Sequence, residues 1–221
     1  MLSPIAVIDC STKNPAYHCF NRMVKYFAAP FSYHQVPSRG IKSLQLEGCA
    51  SAYIVLGSHS NVEERLSWQI ELAQFVKEKI QAGTPTLGIC FGHQLLADAF
   101  GCTISKITRE PKYFEGTRTV TVTQDMFGIK AQENLQLVMG HGYEISKLSP
   151  DFQTFASSPL CLHEGIVHND FPYWSVQCHP EASPSFIENE IKEAIPENIK
   201  EETYRDGLRV ISGFLKEAEK Y

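Results

Sequence analysis

The run Thr86-Leu-Gly-Ile-Cys90-Phe-Gly-His-Gln94 constrains this chain more than any other segment. An apolar stretch from Thr86 to Ile89 ends at Cys90, and a helical pattern starts at once with Phe91, Leu95, Leu96, Ala99 and Phe100. Glycines flank the cysteine at both second neighbours, Gly88 and Gly92. This is a strand–nucleophile–helix turn, written with cysteine in place of serine. The turn is too sharp for side chains beside the nucleophile, and glycine tolerates the crowded backbone. The positive end of the helix dipole then favours the thiolate of Cys90.

A thiol nucleophile needs a base, and the chain offers one near its far end. Tyr173-Trp-Ser-Val-Gln-Cys-His179-Pro-Glu181 reads as a buried strand, Trp174 to Cys178, that runs into His179. Pro180 stops the strand, and Glu181 follows two positions after the histidine. An imidazole at a strand end, with a carboxylate to fix its tautomer, is the base–orienter pair of nucleophilic catalysis. Cys178 should face away from His179, because neighbours on a strand point to opposite faces.

The two segments, Gly88-Ile-Cys90-Phe-Gly92-His-Gln94 and Ser175-Val-Gln-Cys-His179-Pro-Glu181, resemble the signature motifs of class I glutamine amidotransferases. The resemblance covers roughly residues 50 to 185. It implies a flavodoxin-like α/β fold and a triad of Cys90, His179 and Glu181; no P-loop or other nucleotide-binding glycine motif appears in the sequence, and no cofactor is expected. The resemblance also implies an oxyanion hole made by the backbone N–H of Phe91 and one from the loop after the Tyr53–Gly57 strand. Gln94 would help hold the substrate, and His141, in Gly140-His-Gly-Tyr-Glu144, resembles the family's loop histidine near the substrate site. Many members carry Gly-Gly-Pro after that earlier strand, whereas this chain has Gly57-Ser58-His59-Ser60. Ser58 supplies the donor if its φ stays negative, the region open to serine. A Gly-Ser loop also resembles the gamma-glutamyl peptidase branch of the superfamily.

Composition fits this picture. The chain has 221 residues, 43% hydrophobic and 20% charged, enough for one medium-sized domain with a substantial core. A net charge of −5 gives no basic footprint for nucleic acid. Met1 to Asp9 lacks a basic leader and reads as a first core strand, not a signal peptide. No stretch is long enough to span a bilayer. The seven cysteines (Cys10, Cys19, Cys49, Cys90, Cys102, Cys161 and Cys178) are odd in number and scattered, with no C-x-x-C pair. That pattern argues against a disulfide framework or a metal site and for a reducing, cytoplasmic setting.

The expected fold is α/β, a mostly parallel sheet covered by helices on both faces, with a small antiparallel insertion. Strands are predicted at Ile5–Ile8, Tyr33–Val36, Tyr53–Leu56, Thr86–Ile89 and Trp174–Cys178. Helices are predicted at Asn14–Ala28, over the apolar repeat Val62 to Ile80, and from Phe91 to Gly101. Ser60 and Glu63 can box the start of the second helix, while Gly83 and Pro85 close its end. Between Thr117 and Val167, alternating segments (Thr117–Thr123, Gln136–Met139, Thr154–Ala156, Gly165–Val167) form the antiparallel part. Residues 1–221 are read as a single domain whose chain turns helical and charged from about residue 184, at Ser185–Ala194 and Asn198–Lys220.

Three functions fit. The first is a glutaminase releasing glutamate and ammonia through a cysteine thioester, whose partner would be an acceptor or synthetase subunit. The second is a gamma-glutamyl hydrolase or peptidase, which uses the same thioester but releases a larger amine. The third is a non-catalytic amidotransferase-like binding subunit. His93, on the opening turn of a helix, is read as structural, and His59 as a loop residue facing solvent, with a place lining the pocket as the alternative.

Overall fold

The computed structural model describes residues 3–221; Met1 and Leu2, which open the apolar N-terminal run, lie outside the described residues. Eleven strands occur among the described residues: β1 (Ile5–Asp9), β2 (Phe31–Gln35), β3 (Ala52–Val55), β4 (Thr86–Ile89), β5 (Thr103–Lys106), β6 (Phe114–Val122), β7 (Asn134–His141), β8 (Tyr143–Lys147), β9 (Phe152–Ser158), β10 (Cys161–His168) and β11 (Tyr173–Val176). Seven α-helices accompany them: α1 (Tyr17–Tyr26), α2 (Val36–Arg39), α3 (Lys42–Glu47), α4 (Ser67–Gln81), α5 (Phe91–Ala99), α6 (Pro184–Glu190) and α7 (Glu197–Ala218).

Nine strands form one sheet in the order β2-β1-β3-β4-β11-β10-β9-β6-β7. The half from β2 to β11 is parallel, with Val55 opposite Gly88 and Ile89 opposite Val176. From β11 onward every pairing is antiparallel. The antiparallel segments therefore continue the main sheet, and the separate small sheet is the pair β5–β8. Alternation along each strand feeds two cores. Ile5 and Val7 of β1 pack with Met23 of α1 and Val210, Ile211 and Phe214 of α7. Ala6 and Ile8 face the other side, against Leu72, Val76 and Ile80 of α4 and Leu95 and Leu96 of α5. Helices thus cover both faces, as a parallel sheet requires.

Two helices begin later than their hydrophobic pattern predicts, for local polar reasons. Asp9, at the end of β1, accepts the backbone N–H groups of Ser11 and Ala16, each at 2.8 Å. Residues 11–16 are held as a loop, and α1 starts at Tyr17 rather than Asn14. The repeat from Val62 to Ile80 yields a 3₁₀ turn (Val62–Glu64) and α4, separated by Arg65 in the left-handed region at φ 49°. The reciprocal cap joins Asn61 and Glu64, not Ser60 and Glu63; Ser60 Oγ instead donates to Glu64 Oε2 at 2.6 Å. Leu66 N–H then donates to Gln69 Oε1, giving α4 its own start. This new phase buries Gln69 and leaves Ile70 55% exposed, opposite to the expected core position.

Candidate active site

The carboxyl ends of β4 and β11 lie side by side, and the site forms there, as expected for an open α/β sheet. Cys90 is the residue between β4 and α5. Its backbone sits at φ 50°, ψ −101°, a conformation rarely adopted by a residue with a side chain and held here by its surroundings. Cys90 N–H donates to Val176 O of β11 at 2.9 Å, and its carbonyl accepts Gln94 N–H at 3.1 Å. The flanking glycines are forced by packing. A Cβ on Gly88 would lie 2.8 Å from the Gly92 carbonyl oxygen, and one on Gly92 would lie 2.3 Å from the carbonyl oxygen of Val55. Side chains there would push α5 off β3 and β4. The Cys90 thiol is nearly buried and lies 3.6 Å from Gly140 O of β7.

His179 follows β11 and is anchored by its own N–H, which donates to Val138 O at 2.8 Å. Its ring packs against Phe186 of α6, centroids 4.8 Å apart. Nδ1 donates to Glu181 Oε1 at 2.8 Å, which leaves Nε2 to face the Cys90 side of the cleft. Burial alone would disfavour a charged ring. A Cys90 thiolate and the Glu181 carboxylate outweigh it and hold the His179 pKa well above that of an ordinary histidine. The arrangement therefore favours a protonated His179 ring beside the Cys90 sulfur. Cys178 points to the opposite face, into the core shared with Trp174 and Val176.

Ser58 and Phe91 border the nucleophile in the same cavity. Neither Gly57 nor Ser58 has a positive φ, so serine is unstrained in this loop. Ser58 Oγ accepts the Ser60 N–H at 3.0 Å and fixes the turn. Among the described residues, the backbone N–H groups of Ser58 and Phe91 have no acceptor. Gly57 lines the cavity too, and His179 lies directly over its Cα.

Gln94 is buried, and its amide nitrogen is already committed, donating to Tyr143 O at 2.7 Å and Gln177 Oε1 at 3.0 Å. What it can offer a ligand is its Oε1, an acceptor. His141 lines the cavity with Nδ1 donating to Tyr143 O at 3.0 Å. Burial lowers its pKa to about 4, so the ring is neutral at neutral pH, and Nε2 has no partner among the described residues. His93 lies behind the site. Its Nδ1 meets Ser175 Oγ at 2.8 Å, and burial lowers its pKa to about 3. His59 is exposed, as a loop residue, and also lines the cavity rim, where it pairs with Glu190 of α6 at 2.9 Å.

The cavity holds about 190 Å³, below the roughly 300 Å³ at which pockets for drug-sized ligands begin. It reaches past Cys90 to Ser11, Asn14 and His18 and is also lined by Tyr113 and Phe186. Sequence motifs do not mark these residues. Ser11 and Asn14 follow β1, so the rule that ligands bind beyond the carboxyl ends of parallel strands is the one signal that reaches them. Tyr113 and Phe186 arrive by tertiary contact alone. No cluster of three metal-ligating side chains occurs among the described residues.

The chain matches the model of the family Glutamine amidotransferase class-I over residues 27–195. It belongs to that family. Class I glutamine amidotransferase relatives include a GMP synthase subunit of Methanospirillum hungatei, 32% identical over 142 residues, 63% of this chain and 68% of that protein. The GMP synthase of Bordetella avium is 32% identical over 136 residues, 59% of this chain. The chain spans only a quarter of that longer protein, 25% of its length. The crystal structure of a glutamine amidotransferase from Thermotoga maritima shares the fold, with a TM-score of 0.72 at 18% identity over 100% of this chain and 97% of that one. No helix among the described residues is long and apolar enough to cross a membrane.

Proposed function

We propose that the chain hydrolyses the side-chain amide of glutamine to glutamate and ammonia. The observation that carries this reading is the convergence of Cys90, His179 and Glu181 in one small cavity where β4 and β11 end. The Cys90 thiolate attacks the side-chain carbonyl carbon, and the oxygen takes up negative charge facing the N–H groups of Ser58 and Phe91. The imidazolium of His179 gives its proton to the amide nitrogen, the C–N bond breaks, and ammonia leaves a gamma-glutamyl thioester on Cys90. His179, now neutral, takes a proton from water as the water attacks the thioester; the Cys90 thiolate departs and glutamate is released. Glu181 keeps Nδ1 protonated throughout and stabilises the imidazolium. Gln94 Oε1 and the neutral His141 Nε2 are acceptors for the N–H groups of the substrate. The relative named for one subunit of GMP synthase supports delivery of ammonia to a separate synthetase subunit, and the free, scattered cysteines support a cytoplasmic setting.

A second reading has its own support. The cavity wall continues past Cys90 to Ser11, Asn14 and His18, and a leaving group larger than ammonia, as a gamma-glutamyl hydrolase or peptidase needs, would lie along these residues. One experiment separates the two: ammonia release from glutamine measured beside amino-acid release from gamma-glutamyl dipeptides, with Cys90→Ala as the blank. Faster turnover of glutamine supports the first reading. Faster turnover of the dipeptides replaces it with the second, and no Cys90-dependent turnover on either, with or without a synthetase subunit, leaves only a non-catalytic binding role.

A further inference from the structure

Arg22 of α1 is a buried arginine behind the His179–Glu181 pair, and no step of the proposed chemistry uses it. Its side chain is only 7% exposed. Nη1 donates to the carbonyl oxygen of Pro180, the residue between His179 and Glu181, at 2.9 Å. Nη2 donates to the carbonyl oxygen of Tyr204 in α7 at 2.8 Å, and the guanidinium carbon lies 5.4 Å from the Tyr204 ring centroid. From the α7 side, Gly207 packs against the same Pro180 carbonyl, where an added Cβ would come within 2.5 Å of the oxygen. The loop that carries the base and its orienter is therefore clamped on one side by Val138 O and on the other by Arg22 and α7.

Charge gives the clamp a second role. Glu181 is buried, its Oε1 is taken by His179, and its Oε2 has no hydrogen-bond partner among the described residues. A buried carboxylate with an empty oxygen needs a compensating cation. The titratable groups around the pair are His18, Cys19 and Arg22 from α1, Cys90 from the elbow, Tyr113 and His141 on the cavity wall, Cys178 on the same segment, Glu190 from α6 and Tyr204 from α7. Asp9 of β1 bears on Cys19. Within this set Arg22 is the sole permanent cation.

We infer that Arg22 is a positioning residue for the His179–Glu181 pair, fixing the loop through the Pro180 carbonyl and setting its guanidinium charge behind the buried Glu181 side chain. The inference rests on the reading of Cys90, His179 and Glu181 as a working triad. Removing a nearby cation raises the pKa of every acid it faces. Without Arg22, the loop loses both its clamp at the Pro180 carbonyl and the cation behind it.

The test is the rate of Cys90 alkylation by iodoacetamide against pH, on the substrate-free protein, with the adduct placed by mass spectrometry. An ion pair between Cys90 and His179 should show in wild type as a reactive plateau ended by an acid limb. Arg22→Gln should move that limb up by roughly half to one pH unit. Arg22→Lys should leave the limb near wild type but lower the plateau rate severalfold, because one ammonium cannot span both carbonyl oxygens in the guanidinium geometry. Thermal melting confirms that each variant is folded, and the lysine variant decides the positioning role if the glutamine variant does not fold. An unmoved limb in Arg22→Gln, or a wild-type plateau in Arg22→Lys, overturns the inference. A wild-type profile with no plateau also overturns it, since no ion pair then exists to be tuned. Alkylation needs no substrate, so failure to hydrolyse glutamine would sink the proposed function and leave this result standing.

Discussion

A Cβ atom placed on Gly57 would lie 2.7 Å from Cε1 of His179 and 3.7 Å from Cβ of Cys90. The imidazole lies where a side chain on residue 57 would otherwise be. Gly57→Ala should therefore displace the base without unfolding the protein. The expected result is a loss of kcat on the order of 10²-fold, the scale on which misplacing a reacting group by about 1 Å acts. Steady-state kinetics with a melting curve check it. Ser58→Ala, on the neighbouring residue, removes only the bond from Ser60 N–H and should cost far less.

His179→Ala should abolish nearly all turnover, with a loss of roughly 10⁴-fold or more. Glu181→Gln should lose less, since an amide oxygen can still accept the Nδ1 proton at the 2.8 Å contact while the stabilising charge is gone. Active-site titration against circular dichroism separates lost chemistry from lost fold. If His141→Ala is the more damaging substitution, the base has been misassigned.

Gln94 offers a sharper test than simple truncation. Its amide nitrogen donates to both Tyr143 O and Gln177 Oε1. Gln94→Ala should mainly raise KM by removing an acceptor for the substrate. Gln94→Glu should be worse in both KM and stability, because a carboxylate brings lone pairs against two buried oxygens that previously received hydrogen bonds. Equal behaviour of the two variants in kinetics and melting would show that this amide network is not what holds Gln94 in place.

Acid should destabilise the protein through its buried histidines. His141 has its pKa lowered to about 4 and His93 to about 3, chiefly by burial. The folded state therefore refuses protons that the unfolded state takes up below about pH 6.5. Their contribution to stability is fully present above that pH and is lost as pH falls toward the folded-state values. His141→Gln removes one of the two groups and should flatten the decline between pH 6.5 and 4 by about 3 kcal/mol, at roughly 1.4 kcal/mol for each tenfold change in proton affinity. Urea unfolding at stepped pH measures it, and identical slopes for wild type and variant would refute the assignment.

The elbow was legible because its causes are local. Gly88, Cys90 and Gly92 are set by crowding between β4, α5 and β3, and that crowding needs glycine at two fixed offsets wherever the turn occurs. The strand Tyr173–Val176 running into His179-Pro-Glu181 was legible for the same reason: Pro180 ends the strand and the two-residue gap lets the carboxylate reach the ring. The Val62–Ile80 repeat misled because a hydrophobic period does not record a cap. Asn61 and Glu64 closed a short turn first, and Arg65 took a left-handed conformation.

By itself, then, the sequence determined the nucleophile turn, the base–carboxylate segment and the alternation of strands and helices, since each rests on sterics and hydrogen bonds among near neighbours. Only the tertiary structure decided what surrounds them. It joined the antiparallel strands to the parallel half, seated His179 over Gly57, committed the Gln94 amide to Tyr143 and Gln177, and set Arg22 behind Glu181. Those partners lie up to 158 positions apart in the chain, as Arg22 and Pro180 do. Contacts at that separation are selected by how two faces of a sheet are covered, and no local spacing encodes them.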